Sequence, residues 1–278
     1  MKNICPNSKC DQRKKFLKNG FYQRKSSDRP IQRYICANCR TQYSEATNEL
    51  EYRQKKRNIN DQLEKLLCSK VSMNRCAEIL NVNPKTVARR LDYLALKAQQ
   101  LNEAALKKYR KVKQVQFDDL ITKEKSKCLP VSVPLAVEAN SRLLLSIDVA
   151  SIPAFGHLAK ISKEKYGKRS NEHQKALNRV FKELKNLCAI NCHFDSDEHI
   201  NYAPVVKRYF PDASHTQFKG DRGCIAGQGE LKKVRHDPLF WLNHTCAVLR
   251  DSIGRLVRKT WGISQKKERL LQHLKIFQ

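Results

Sequence analysis

Apolar residues recur along this chain with two different periods, and the change of period divides it. Between residues 61 and about 100 the spacing is helical: Leu63, Leu66 and Leu67 mark one stripe, and Val87, Leu91 and Leu94 a second at i, i+4 and i+7. "SMNRCAEILNVNPKTVARRLDYL" reads as helix, tight turn, helix, with Asn83 as N-cap and Pro84 at the first helical position, where its missing N–H costs nothing. On the second of these helices Lys85, Thr86, Arg89 and Arg90 are expected to point away from the apolar stripe. "LNEAALKKYRKV", 101–112, continues as a charged helical connector. From Val112 the period becomes strand-like. "VKQVQFDDL" alternates and ends on a pair of acids, "CLPVSVPLAVEA" and "RLLLSIDVA" are two further strands, and Asn140 and Ser141 can turn between them. A helix is expected over about 171–187, then a strand "LCAINCHFD", a helix in "EHINYAPVVKRYF" and a strand near "SHTQF". That order describes a mixed α/β layer. Residues 242–261, "LNHTCAVLRDSIGRLVRKTW", read as one further helix, with Leu249, Ile253, Leu256 and Thr260 inward.

Charge adds a partner. The 278 residues carry 55 Lys and Arg against 27 Asp and Glu, a formal +28, and the excess is spread along the chain rather than held in one tail. A long footprint on nucleic acid fits this, because Lys and Arg on phosphates release condensed counterions. A merely basic protein is the bland alternative. No run approaches the roughly 20 apolar residues of a membrane helix, and "MKNICPNSKC" lacks the apolar stretch of a signal peptide, so the expectation is a soluble cytoplasmic protein that works on the nucleoid, with no membrane role.

Eleven cysteines in such a chain argue for metal binding or inert burial before disulfides. Cys5 and Cys10 form one closely spaced pair, Cys36 and Cys39 another, and the stretch between them can form a hairpin. This is a zinc-ribbon spacing, in which four thiolates close a tetrahedral Zn²⁺ site on a segment too small to fold by apolar burial alone. Four buried free cysteines are the alternative. The expected organisation is therefore multidomain: a zinc ribbon over 1–46, a polar linker, a helix-turn-helix over 60–100 and a mixed-sheet domain over 112–278. In the helix-turn-helix, Lys85, Thr86, Arg89 and Arg90 would meet DNA bases and phosphates; a small structural helix bundle with a solvated charged face is the competing reading. Core packing is the default for the remaining cysteines and for Trp241 and Trp261.

The acids carry the candidate chemistry. Asp118 and Asp119 close the first strand of the sheet and Asp195 the fourth. Carboxylates at such positions suit Mg²⁺ or Mn²⁺, which can activate a water and stabilise a leaving 3′ oxygen in an in-line displacement at phosphorus. Asp118 is favoured over Asp119 because Phe117 and Asp119 share the opposite face of the strand. Asp197 has a competing role as a helix N-cap, and Asp148 reads as a surface residue.

"CPNSKC", "KNGFYQRKSSDRPIQRYICANCRTQY", the helix-turn-helix, "QFDDL", "FDSDEHINYAPVVKRYFPDASH" and "LRDSIGRLVRKTWGISQKKERL" together resemble transposases of the insertion-sequence-one family and close relatives, nearly end to end. The most telling stretch is carried by Leu249, Arg250, Arg255, Leu256, Arg258, Lys259, Thr260, Ser264, Lys266 and Glu268. The resemblance implies a ribonuclease-H-like catalytic domain with an acidic triad. It would bind the ends of its own element as double-stranded DNA, nick them to free a 3′ hydroxyl and join that end to target DNA, as a homo-oligomer on the DNA. Carried over, the first acid falls on Asp118, the second on Asp195 and the third on Asn243, where the family has a glutamate. Three possibilities stay open: an active variant using Asn243, a triad completed by Asp237, or a catalytically weakened descendant. Arg250, Arg255, Arg258 and Lys259 would hold DNA phosphates. The competing functions are a non-catalytic DNA-binding regulator and a general nuclease or junction resolvase. The enzyme reading requires the Asp118 and Asp195 side chains to converge within a few ångströms.

Overall fold

The computed structural model describes residues 4–24, 29–219, 237–257 and 262–278. The chain forms two compact units, Met1–Gln62 and Leu63–Gln278.

In the first unit an antiparallel sheet of β1 (Phe16–Tyr22), β2 (Ile31–Cys36) and β3 (Gln42–Ser44) packs Phe16, Tyr34 and Tyr43 around the cysteines. The Phe16 and Tyr34 rings meet edge-on at 5.0 Å. This apolar core is too small to stabilise the unit unaided. The stretch after residue 44, expected to be a linker, packs instead: Ala46 is buried, Asn48 donates to the Ile4 carbonyl, and Arg57 pairs with Glu49 and Glu51. A guanidinium flanked by two carboxylates removes the reason for that polar run to stay solvated.

The boundary falls within α1 (Asn60–Leu67), and the second unit continues with α2 (Met73–Ile79) and α3 (Pro84–Lys108). Ser72 caps α2, accepting from the Arg75 N–H, and Asn83 caps α3, accepting from the Lys85 N–H, with Pro84 leading the helix as expected. Leu63, Leu67, Cys76, Val87, Leu91 and Leu94 form the core of this helical group. α3 absorbs the connector into one unbroken helix of 25 residues. Ala, Leu, Lys, Gln and Glu fill its second half and give it no reason to stop.

A mixed sheet follows, in the order β6 (Leu144–Ile147), β5 (Ser126–Glu138), β4 (Val112–Glu124), β8 (Cys188–Asp197), β9 (Ser214–Phe218), with β7 (Ala150–Ser151) also on β5. β5 runs antiparallel to both β4 and β6, whereas β8 lies parallel to β4 and β9 parallel to β8. The turn before β6 puts Asn140 and Arg142 at positive φ. On one face α5 (His173–Leu184) and α6 (Tyr202–Tyr209) cover Val115, Phe117 and Phe194; on the other α7 (Phe240–Ser252) and α8 (Lys267–Phe277) cover Leu120, Val131 and Leu135. An unanticipated α4 (Leu158–Tyr166) lies along β5, where Ser162 donates to the Cys128 carbonyl.

Two expectations change here. β4 does not end at its acids but continues to Glu124, because Leu120 and the following residues pair with β5 through Lys123↔Pro130 and, after a register shift, Glu124↔Ser126. The last helix of 242–261 stops at Ser252, whose carbonyl accepts from the Lys70 N–H. At Gly254 a Cβ would stand 2.9 Å from the Lys70 carbonyl oxygen, an approach that only glycine permits. Among the described residues no helix is long and apolar enough to cross a membrane.

Candidate functional site

The four spaced cysteines meet. Cys36 closes β2, and the turn after it is fixed by N–H donation from Cys36 to the Thr41 carbonyl and from Arg40, at positive φ, to the Cys36 carbonyl. The first knuckle is tied by the Cys5 N–H to the Arg13 carbonyl and by the Arg13 guanidinium back to the Cys5 carbonyl. As a result the sulfurs of Cys5, Cys10, Cys36 and Cys39 all lie within 4.8 Å of one another, with Cys5–Cys39 and Cys10–Cys36 each 3.6 Å apart. A tetrahedral zinc–thiolate centre has sulfurs about 3.8 Å apart. The four residues can therefore hold a metal ion, and zinc fits their spacing. The Thr41 hydroxyl and N–H hold the Cys39 thiol down at about 6, whereas burial pushes Cys5 up to about 11, so proton loss begins at Cys39.

In the second unit the acids are spread along the sheet. The parallel register sets Gln116 opposite Asp195, and β8 ends two residues later at Asp197, level with Asp118, which is likewise two residues past Gln116. Asp195 is buried and accepts from Gln114 at 2.8 Å, with His193 at 3.0 Å on its other oxygen. Asp195 stands one pleat before the position level with Asp118, and the carboxylate whose charge acts most strongly on Asp118 is Asp197. Burial first, then Asp197 and Asp119, push Asp118 up to about 7. Asp197 is not the expected helix N-cap: its carboxylate accepts the His199 N–H in the turn before α6, and that helix starts only after Asn201.

Asp119, on the other face, accepts from Ser132 at 2.8 Å and from the Tyr202 hydroxyl at 2.9 Å, and also meets His173. The Tyr202 hydroxyl lies 3.0 Å from Asp118 as well. Sequence reasoning set Asp197 aside as a helix N-cap and passed over Tyr202 and His173. Alternation in "FDSDEH" does put Asp197 on the same face as Asp195, and that signal was readable.

α7 runs beside β4. The Gln116 side chain accepts from the Leu242 N–H at 3.1 Å and donates to the Pro238 carbonyl at 2.7 Å, and one turn further on Cys246 feels the charge of Asp118. Asn243 is thus level with Gln116. Its side chain is exposed and donates to Asp237, whose other oxygen caps the Leu239 N–H. The two candidates for the third ligand bind each other. Among the described residues, the four cysteines are the only His, Cys, Asp or Glu donors gathered closely enough to form a metal cluster of three or more.

Of the candidate DNA contacts, Lys85 and Arg89 are exposed on α3 and Thr86 is half-buried. Arg90 is corrected: it is buried, because it stands three residues after Val87 and four before Leu94 and so falls on the inward stripe. Arg250 is half-buried near Cys246, and Arg255 is drawn in toward Ser264 and Met73 rather than lining an outer face. Arg258 and Lys259 lie outside the described residues, as do Thr260 and Trp261. Asp148, expected at the surface, is buried, pairs with Arg179 and accepts its neighbour's N–H. No protein-family model and no curated protein sequence matches the chain.

Proposed function

We propose that the chain is a DNA transposase, with a zinc ribbon in the first unit and a helix-turn-helix followed by a ribonuclease-H-like domain in the second. The observation that carries this reading is the parallel β4–β8 register, which, continued two residues past Gln116–Asp195, sets Asp197 at the end of β8 level with the half-buried Asp118 of β4 in a sheet of order β6-β5-β4-β8-β9; burial and then the Asp197 charge accordingly raise Asp118 to about 7. Open α/β sheets bind ligands at the carboxyl ends of their parallel strands. Two crowded carboxylates also suit a hard divalent cation, whose charge relieves their repulsion.

Asp118 and Asp197 would hold Mg²⁺ or Mn²⁺, with Asp195, one pleat away, holding Gln114 and His193 in place. The cation, when bound, supplies charge neutralisation at phosphorus and an activated water. The chain itself supplies positioning: Gln116 locks the start of α7 against β4, and Lys85 and Arg89 at the start of α3 hold double-stranded DNA ends. Bringing two ends together requires a homo-oligomer on the DNA. The resemblance of the "QFDDL", "FDSDEHINYAPVVKRYFPDASH" and "LRDSIGRLVRKTW" stretches to insertion-sequence-one transposases supports the same reading. One observation favours the second reading, a DNA-binding regulator descended from such an enzyme. Among the described residues α7 brings no carboxylate to the acid pair, and Asn243 is spent on Asp237.

The test is Mg²⁺- or Mn²⁺-dependent nicking of supercoiled DNA carrying the element ends. Asp118→Ala and Asp197→Ala should each lower the rate at least about a hundredfold while leaving DNA binding intact, and Asp195→Ala and Asn243→Ala should cost less. A wild-type protein that binds the ends and never nicks them is the regulator.

A further inference from the structure

Behind the acid pair lies a buried polar network that metal binding by Asp118 and Asp197 does not by itself require. Asp119 would read from sequence as a spare carboxylate, yet its oxygens are already committed to Ser132, His173 and Tyr202. His173 is the first residue of α5 and is itself buried, and its second ring nitrogen lies 3.1 Å from the Asn201 amide. Tyr202, the first residue of α6, is fully buried, with its ring 4.9 Å from Phe117 and 4.8 Å from His199. Its hydroxyl is held between Asp119 at 2.9 Å and Asp118 at 3.0 Å.

The same network staples the loop that carries Asp197. Asp197 accepts the His199 N–H, the Tyr202 N–H donates to the His199 carbonyl, and the Asn201 N–H donates to the His199 ring. Asn201 and Tyr202 then tie this loop to His173 and Asp119. Asp118 comes from β4 and Asp197 from the end of β8, so something must set their spacing where the β4–β8 ladder ends. The ladder stops supplying backbone hydrogen bonds there, and side chains take over.

We propose that Tyr202 is the positioning residue of the acid pair, with Asp119 and His173 fixing its hydroxyl, and that Asp119 is an anchor rather than a cation ligand. This inference rests on the reading of Asp118 and Asp197 as cation ligands. The phenol's single proton bridges two carboxylates, which orients Asp118 and holds the 197–202 loop against β4. Outer-shell partners of this kind are typically worth about 10–100-fold in metal affinity.

The experiment uses the full-length, zinc-loaded protein without DNA and reads Mn²⁺ binding by electron paramagnetic resonance, alongside thermal melting. Tyr202→Phe removes one oxygen and keeps the ring packing against Phe117. It should weaken Mn²⁺ binding about tenfold while leaving the melting temperature close to wild type. His173→Gln should weaken it in the same direction, and the double variant should add little, because the two residues act through one bond network. In nicking assays Tyr202→Phe should need more metal yet approach the wild-type rate at saturating metal. Wild-type Mn²⁺ affinity in Tyr202→Phe, with Asp118→Asn abolishing binding, overturns the positioning role and leaves the cation reading standing. Unchanged Mn²⁺ binding in Asp118→Asn overturns both. A Tyr202→Phe protein whose weakened binding follows only from a lowered melting temperature also overturns the proposal, and full affinity restored in a stabilised background is the sign of that outcome.

Discussion

In the first unit four sulfur atoms from two short turns lie within 4.8 Å of one another, each turn closed by its own backbone hydrogen bonds; in the second, Asp118 and Asp197 come from strands far apart in the chain and reach the same level of the sheet only because β8 lies parallel to β4. The cysteine cluster is built by local spacing with almost no core beneath it. The acid pair is built by register on a sheet with apolar cores on both faces. A one-residue slip would turn Asp118 to the other face of the sheet, whereas no comparable slip is open to a knuckle of two or four intervening residues. The two kinds of site therefore fail in different ways.

Metal removal should separate them most sharply. Stripping the protein with a strong chelator, or replacing Cys36 and Cys39 with Ser, should unfold residues 1–62, seen as loss of dispersed amide signals from β1–β3, while the second unit keeps its signals. Simultaneous loss of both sets would show that the second unit depends on the metal and break the contrast.

Acidity is the next lever. Asp118 titrates at about 7 in the fold, above its ordinary carboxylate value, because burial and the charges of Asp197 and Asp119 oppose ionisation. A raised carboxyl favours the protonated native state, so its contribution is fully present below the ordinary value near 4 and is lost as pH rises through about 7. Asp118→Asn should accordingly be more stable than wild type at pH 8, by on the order of 2 kcal/mol after allowance for partial solvent exposure, with the difference shrinking toward pH 5. Melting curves without divalent ions at the two pH values check this. Equal behaviour at both would mean that Asp118 and Asp197 are not crowded.

The smallest effect belongs to α3. Lys85→Ala or Arg89→Ala should leave stability within about 0.5 kcal/mol and lower the salt dependence of DNA binding by about one counterion each. Arg90→Ala should do the reverse, costing about 1–3 kcal/mol of stability by opening the packed side of the helix, with little direct effect on the salt slope. Urea unfolding and binding titrations at several salt concentrations distinguish the three.

Much of the local grammar was legible. The cap Asn83, the inward stripe of Val87, Leu91 and Leu94, the strands around "SHTQF" and "LCAINCHFD", and the pairing of the cysteines all follow from residue type and spacing, because each depends on neighbours within a few positions. The errors share a cause. Arg90 was assigned outward by its charge although its spacing is inward, and the end of β4 was placed at its acids although a partner strand continues to pair beyond them. The helix through 242–261 was taken as continuous because nothing local shows that the Lys70 carbonyl approaches Gly254.

Sequence alone determined which side chains could do chemistry here: four thiols at knuckle spacing, a helix with basic residues at its start, and acids on two of the strands. Their period and type are properties of the chain itself. Only the tertiary structure decided which acids meet. The β4–β8 register pairs Gln116 with Asp195 and brings Asp197 to Asp118, and α5 and α6 deliver His173 and Tyr202 to Asp119. Those choices are made by hydrogen-bond ladders and packed apolar faces between segments distant in sequence, where an offset of a single residue changes every neighbour.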